Sequence, residues 1–288
     1  MKRIVWAFLA VLLMSSPLYA AQSTITEAEG YACMGYDKSR KVAEDEALAN
    51  AKRLAAEYAS TYIKSETKVK DAILEKDLIE AYANASVKIV EESSRAWYKD
   101  AISGDCVKIR IKAEVIPDSQ SMDRLRQAPG AEDDPSAPLT VRVWTDKKEY
   151  HQKEKMKIYL KGNKPFYARV LHRDAAGATL QILPNPYRTD NYFHGGAVYE
   201  IPTGKDQFDL EVAPPFGEET LTVYAASSPL GGLDLQEKGS VYRVKTSEQD
   251  TGTRTRGLKL QPTQGPQAGQ SPPVSEFFET RQTMKTAK

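Results

Sequence analysis

Between Val107 and Ile116 apolar and charged residues alternate without a break. Val107, Ile109, Ile111, Ala113 and Val115 fall on one side, and Lys108, Arg110, Lys112 and Glu114 on the other. A period of two describes a strand with one face buried and one in water. Ile25 to Met34 alternates likewise, and its Ala28, Gly30 and Ala32 make a face small enough for a helix to approach closely. Parity places Cys33 with Glu27, Glu29 and Tyr31, and Cys106 with Lys108, Arg110 and Lys112, so both thiols point away from the helix side. If the two strands pair antiparallel with Cys33 opposite Cys106, one offset also sets Tyr31 opposite Lys108, Glu29 opposite Arg110 and Glu27 opposite Lys112. Opposite charges across strands contribute only about 0.2–1 kcal/mol each, but three matches from one offset exceed what chance usually gives. The expectation is a Cys33–Cys106 disulfide; free thiols or a bond between chains are the alternatives.

The intervening chain reads as helical. Gly35-Tyr36-Asp37 is a turn with Asp37 as N-cap. Ala47, Ala51, Leu54, Ala55, Tyr58 and Tyr62 recur at three- and four-residue spacing, as one face of a long helix requires. Ile73, Leu74, Leu78, Ile79 and Tyr82 mark a shorter helix, and Ser86 to Tyr98 a further strand. Residues 21–116 are therefore expected to be an α+β domain of order β-α-α-β-β, an antiparallel sheet with two helices on one face.

Ahead of it, Met1-Lys2-Arg3 is a basic start, Ile4 to Met14 an apolar run, and Leu18-Tyr19-Ala20 a small-residue cleavage site. Residues 1–20 have the three parts of a secretory signal peptide. The run of about eleven residues is too short for a spanning helix of about 20. No cysteine stands near the cleavage point, so a mature chain beginning near Ala21 without acylation is expected. That places the protein in the periplasm or outside the cell, with any outer-membrane association peripheral and no transmembrane segment after cleavage. The location permits a disulfide.

Residues 117–138, rich in Pro, Ser, Gly and acids, read as a linker. Residues 139–260 carry short strand-like runs: Thr140–Thr145, Lys153–Lys161, Phe166–Arg173, Thr179–Leu183, Ala197–Ile201, Gln207–Val212, Thr220–Ala226 and Val241–Lys245. Separated by Gly, Pro and Asn turns, they suggest an all-β, sandwich-like domain. Residues 261–288 comprise a low-complexity stretch over 261–273, after which Val274 to Phe278 returns as an edge strand or belongs to a tail.

Two family resemblances attach to these halves. Glu27-Ala28-Glu29-Gly30-Tyr31-Ala32, a helix beginning near Ser39 with Ala43 and Ala47-Leu48-Ala49-Asn50-Ala51-Lys52-Arg53, and the strand before Pro117 resemble the N-terminal domain of the flagellar H-ring assembly protein T. The same domain type occurs in small outer-membrane lipoproteins. The resemblance covers residues 25–116 and ends there; the chain lacks the lipoproteins' anchoring cysteine. Val143-Trp144, Tyr150, Asp174-Ala175-Ala176-Gly177, Leu183-Pro184-Asn185, Tyr199-Glu200-Ile201-Pro202 and Gly217-Glu218-Glu219 are similar to the bacterial domain-of-unknown-function family numbered 4384. That family implies an exported or multidomain bacterial protein, and no activity transfers from it.

Chemistry is sparse. The sequence has 40 basic and 39 acidic residues; without Lys2 and Arg3 the balance is 38 to 39. Nucleic-acid binders usually carry a clear positive excess, so none is expected as a partner. With three histidines and two cysteines there is no nucleophile elbow, metalloprotease helix, Cys-x-x-Cys, phosphate loop or dinucleotide fingerprint. No catalytic residue, metal or cofactor is assigned. His172, Asp174, Asp190 and His194 lack metal spacing and read as loop or surface groups, although a carboxylate pair of the glycosidase kind leaves no sequence trace. Two features carry candidate recognition. Lys153, Lys155, Lys157 and Lys161 share one strand face opposite Met156, Ile158 and Leu160, either as a solvated, aggregation-proof edge or as a contact for an anionic envelope polymer or acidic partner. Tyr187, Tyr192 and Phe193 lie on the loop Pro184 to Phe193, either exposed for an interface or folded inward over the core. The expected function is an exported, non-catalytic assembly or interaction module contacting envelope or outer-membrane proteins. The alternatives are an envelope hydrolase with an acidic site and a saccharide-binding module.

Overall fold

The computed structural model describes residues 20–66, 72–130, 132–258 and 272–288. The leader expectation, but for Ala20, and most of the stretch 261–273 lie outside the described residues. The first half runs β1 Ala20–Cys33, α1 Arg40–Glu66, α2 Ala72–Ala83, β2 Ser86–Asp100 and β3 Gly104–Ile116. After α3 Ser119–Gln127 come β4 Val141–Thr145, β5 Glu149–His151, β6 Ile158–Gly162, β7 Phe166–Arg173 and β8 Thr179–Leu183. β9 Tyr192–Phe193, β10 Val198–Ile201, β11 Glu218–Ala226, β12 Leu235–Lys238 and β13 Val241–Val244 precede α4 Glu248–Arg256 and β14 Val274–Ala287. The molecule is thus α+β with a β-rich part.

β1 and β3 pair antiparallel from Thr24 opposite Val115 to Cys33 opposite Cys106, with Glu27, Glu29 and Tyr31 opposite Lys112, Arg110 and Lys108. Cys33 and Cys106 form the disulfide, so the offset set by the thiols and charges is the one present. On the other face α1 buries Ala43, Ala47, Ala51, Ala55, Ala59 and Ile63. These small side chains let the helix sit low on β1. A Cβ on Gly30 would come within 2.1 Å of the Ala47 carbonyl oxygen and 2.4 Å of the Ala51 nitrogen, so only glycine fits at the crossing. The α1 cap is Ser39, not Asp37 as expected: the Ser39 Oγ accepts the Val42 N–H at 3.3 Å.

The linker expectation over 117–138 is corrected. α3 begins there, with the Asp118 side chain accepting the Ser121 N–H at 2.9 Å. It buries Met122 and Leu125, and Arg124 pairs with Asp77 of α2 at 3.0 Å. Pro- and acid-rich composition concealed a nine-residue helix that needs only two large apolar side chains. The expected strand at Lys153 is also shorter, because Lys153 takes φ 70° in a turn and β6 starts at Ile158. Gln207–Val212 yields one bridge, Lys155 to Glu211, instead of a strand.

The largest correction concerns the C-terminal run. β14 is a central strand, not an edge or tail. Its Val274–Thr280 pairs with Thr26–Ala20 of β1, while Phe277–Lys285 pairs with Ala226–Glu218 of β11. One sheet, in the order β12-β13-β8-β7-β11-β14-β1-β3-β2, therefore crosses both halves. A second sheet, β10-β6-β4, faces the large one: Val143, Ile158, Leu160 and Ile201 share a buried core with Val170, Leu221, Val223, Phe278 and Met284.

Buried ion pairs fasten the seam. Glu276 of β14 accepts from Lys164 at 2.9 Å, from the Tyr62 hydroxyl at 3.5 Å and from the Leu139 N–H. Arg256, ending α4, bridges Glu114 of β3 at 2.6 Å and Glu279 of β14 at 2.9 Å. The Ser23 hydroxyl of β1 donates to the same Glu114 at 2.8 Å. Buried charges of this kind are tolerable because each is paired and hydrogen-bonded.

Candidate interaction surface

The face of β1, β3 and β2 turned away from α1 is set by the same register. Glu27, Glu29, Tyr31 and Cys33 stand beside Lys112, Arg110, Lys108 and Cys106, and Glu91, Ser94, Ala96 and Tyr98 follow on β2. Most of its charges are matched within the sheet: Glu29 meets Lys108 at 3.1 Å and Arg110 at 3.0 Å, and Lys112 meets Glu91 at 3.7 Å. Partial burial pushes the Glu29 carboxyl up, but the hydrogen bonds and charges of Lys108 and Arg110 outweigh it and hold the group below its ordinary value.

The exposed apolar groups gather at the disulfide end. Tyr31 is 64% and Tyr98 40% exposed on the open face, Ile102 is 97% exposed in the β2–β3 turn, and Tyr36 is fully exposed in the β1–α1 turn. The support is rigid. Asp100 Oδ1 accepts the Ile102 and Ser103 N–H groups at 3.0 and 2.8 Å, the Met34 N–H donates to the Asp105 carbonyl at 2.9 Å, and the disulfide ties the two strand ends. Scattered exposed apolar residues are ordinary; these four stand together at one end of the sheet. The outer edge of β2 is defended: Lys88, Glu91, Glu92, Arg95 and Lys99 are exposed, and its register shifts twice, at Ile89/Glu91 and Glu92/Ser94. Bulges and charges discourage an added strand, so a partner would meet the face and its end. Sequence reading placed both thiols but missed this cluster. The signals were present, in the solvent-side parity of Tyr31 and Tyr98 and in an isoleucine within a turn.

The structure does not gather the four candidate lysines into one free basic face. Lys155 pairs with Asp209 at 2.7 Å, Lys157 with Glu200, and Lys161 with Asp133 at 2.6 Å, while Lys153 occupies the turn. The aromatic loop divides. Phe193 is buried, stacked on Phe166 at 5.2 Å and edge-on to Tyr199 at 4.9 Å. Tyr187 and Tyr192 remain exposed, Tyr192 lying 5.0 Å from Tyr167. Asn185 holds the loop by accepting the Tyr187 and Arg188 N–H groups at 2.9 and 2.8 Å.

His172 partners neither Asp190 nor His194. Its Nε2 lies 2.6 Å from Glu219, whose other oxygen accepts from Thr286 at 2.8 Å. The Thr286 hydroxyl thus donates to the acid and not to the imidazole, so the three do not form a nucleophile–base relay. Among the described residues no group of three or more His, Cys, Asp or Glu could hold a metal, and no helix is long and apolar enough to cross a membrane.

Residues 149–229 match the family model of a domain of unknown function, DUF4384. The DUF4384 segment runs from β5 past β11, inside the β-rich part, and leaves out β1–β3, α4 and β14. No curated protein matches the chain.

Proposed function

We propose that this chain is an exported, non-catalytic assembly or protein-interaction module of the cell envelope, periplasmic or peripheral at the outer membrane. In this reading residues 21–116 are a domain of the flagellar H-ring and lipoprotein type, and a β-sandwich-like domain containing the DUF4384 segment follows. The observation that carries it is the cluster Tyr31, Tyr36, Tyr98 and Ile102 on a disulfide-fastened end whose neighbouring charges are already matched. Exposed aromatics on a charge-neutral support favour a protein partner. An anionic polymer would have to displace Asp209, Glu200 and Asp133 from Lys155, Lys157 and Lys161. The Cys33–Cys106 bond is compatible with an oxidising compartment.

Tagged protein cross-linked in its native envelope tests the reading. The wild type should capture a fixed set of envelope proteins, Tyr98→Ser with Ile102→Ser should lose it, and Gln at Lys153, Lys155, Lys157 and Lys161 together should not. Capture unaffected by the first pair, or turnover of an envelope polymer that survives repurification, would contradict it.

A further inference from the structure

Where α4 crosses the seam between the halves, a cleft of about 350 Å³ opens among Ser23, Lys88, Glu114, Tyr224, Arg256 and Glu279. That volume lies at the small end of ligand pockets, which run from about 300 to 1,000 Å³, and suits a ligand of monosaccharide size. Carboxylates, cations, hydroxyls and amides dominate the wall, with Gln249 and Thr253 on the α4 side, so the occupant must be hydrophilic on most sides.

One hydroxyl at the cleft and one guanidinium nitrogen beside it lack the partners that buried polar groups ordinarily have. Tyr224 is only 5% exposed and lines the cleft, yet no hydrogen bond to its hydroxyl exists among the described residues. Burial first, and then the Glu279 charge, push this phenol up to about 12, so it is a hydrogen-bond donor at neutral pH. Directly across the β7–β11 ladder from it stands Arg169, 6% exposed. Its guanidinium donates to Thr255 Oγ1 at 3.0 Å, its Nε is unsatisfied, and among the described residues no carboxylate pairs with it. A buried cation without a counter-charge is costly, and this one lies beside the tyrosine.

The charges at the cleft are unequal. Glu114 and Glu279 face Arg256 and Arg281, and Glu248 is committed to Arg173 at 2.6 Å. Lys88 on the rim, with no ion pair among the described residues, and Arg169 beside Tyr224 are surplus. We propose that this cleft binds a small hydroxylated carboxylate of the uronic-acid kind. Its carboxylate would accept from the Tyr224 hydroxyl and Lys88, and its hydroxyls would donate to Glu114 and Glu279. Tyr224 comes from the DUF4384 segment, while Ser23, Lys88, Glu114, Arg256 and Glu279 do not, so the site belongs to the joined molecule. It is independent of the assembly reading, since the cleft and the Tyr98–Ile102 end share no residue.

Titration of the intact chain with D-glucuronate and D-galacturonate, followed by NMR and calorimetry, tests this, with D-glucose as the neutral comparison. At least one uronate should bind, with resonance shifts centred on Tyr224 and Lys88, and glucose at least tenfold more weakly. Tyr224→Phe and Lys88→Gln should each weaken binding about tenfold while leaving the unfolding midpoint in place, because neither polar group has a partner among the described residues to lose. Absence of binding by both uronates, glucose binding as well as either, or affinity untouched by the two variants would overturn the proposal.

Discussion

At the scale of single residues, the register of β1 on β3 follows from side-chain parity and two thiols, and Gly30 shows how closely a helix can press on the result. Gly30→Ala forces a methyl into the backbone of α1, where Ala47 and Ala51 cannot retreat without lifting the helix. Overpacking of this sort costs about 1–3 kcal/mol or more, so the variant should unfold at clearly lower denaturant, read by circular dichroism. An unchanged midpoint would mean that α1 does not sit where described. The Cys33–Cys106 bond spans 73 residues of sequence, for which the chain-entropy model gives roughly 4 kcal/mol, often less in practice. Replacing both cysteines by serine should lower stability by up to that amount, and equal stability of reduced and oxidised protein would count against it. These features were legible because strand parity fixes neighbours within one ladder. The Tyr224–Arg169 juxtaposition was not legible, since it needs the pairing of β7 with β11 and the cover of α4, which no local pattern reports.

Among the elements, β14 is the one that sequence reading placed wrongly, and the reason is physical. A strand buried on both faces loses the alternation that betrays a half-buried one: Phe277 packs into one cluster and Phe278 into another. Glu276 and Glu279, buried and ion-paired, lent the segment the composition of a charged tail. α3 was hidden similarly, by polar residues around Met122 and Leu125. Because β14 supplies the ladder to both β1 and β11, removal of residues 272–288 should expose a long unpaired edge on each side and break the core at Phe278 and Met284. Truncated protein should lose its protected amide core in hydrogen exchange across β1 and β11 together. Persistence of native protection in either half would show that β14 is dispensable to it.

For the whole molecule, a shared sheet and buried ion pairs across the seam replace the expected pair of domains on a flexible tether. Elements contacting through Glu276, Arg256 and β14 should unfold together, giving one calorimetric transition with van't Hoff and calorimetric enthalpies equal. Two resolved transitions would restore the tethered arrangement. A rigid body presents its surfaces in fixed relation, so a partner engaging the disulfide end, as proposed, would cost little conformational entropy. The most direct measurement places a photoreactive benzoylphenylalanine at Ile102, and in a separate variant at Tyr187, in cells that carry the protein. An assembly module working through its disulfide end should form a discrete adduct with one or a few envelope proteins from position 102 and not from 187. No adduct from 102, or the same adducts from both positions, would contradict it.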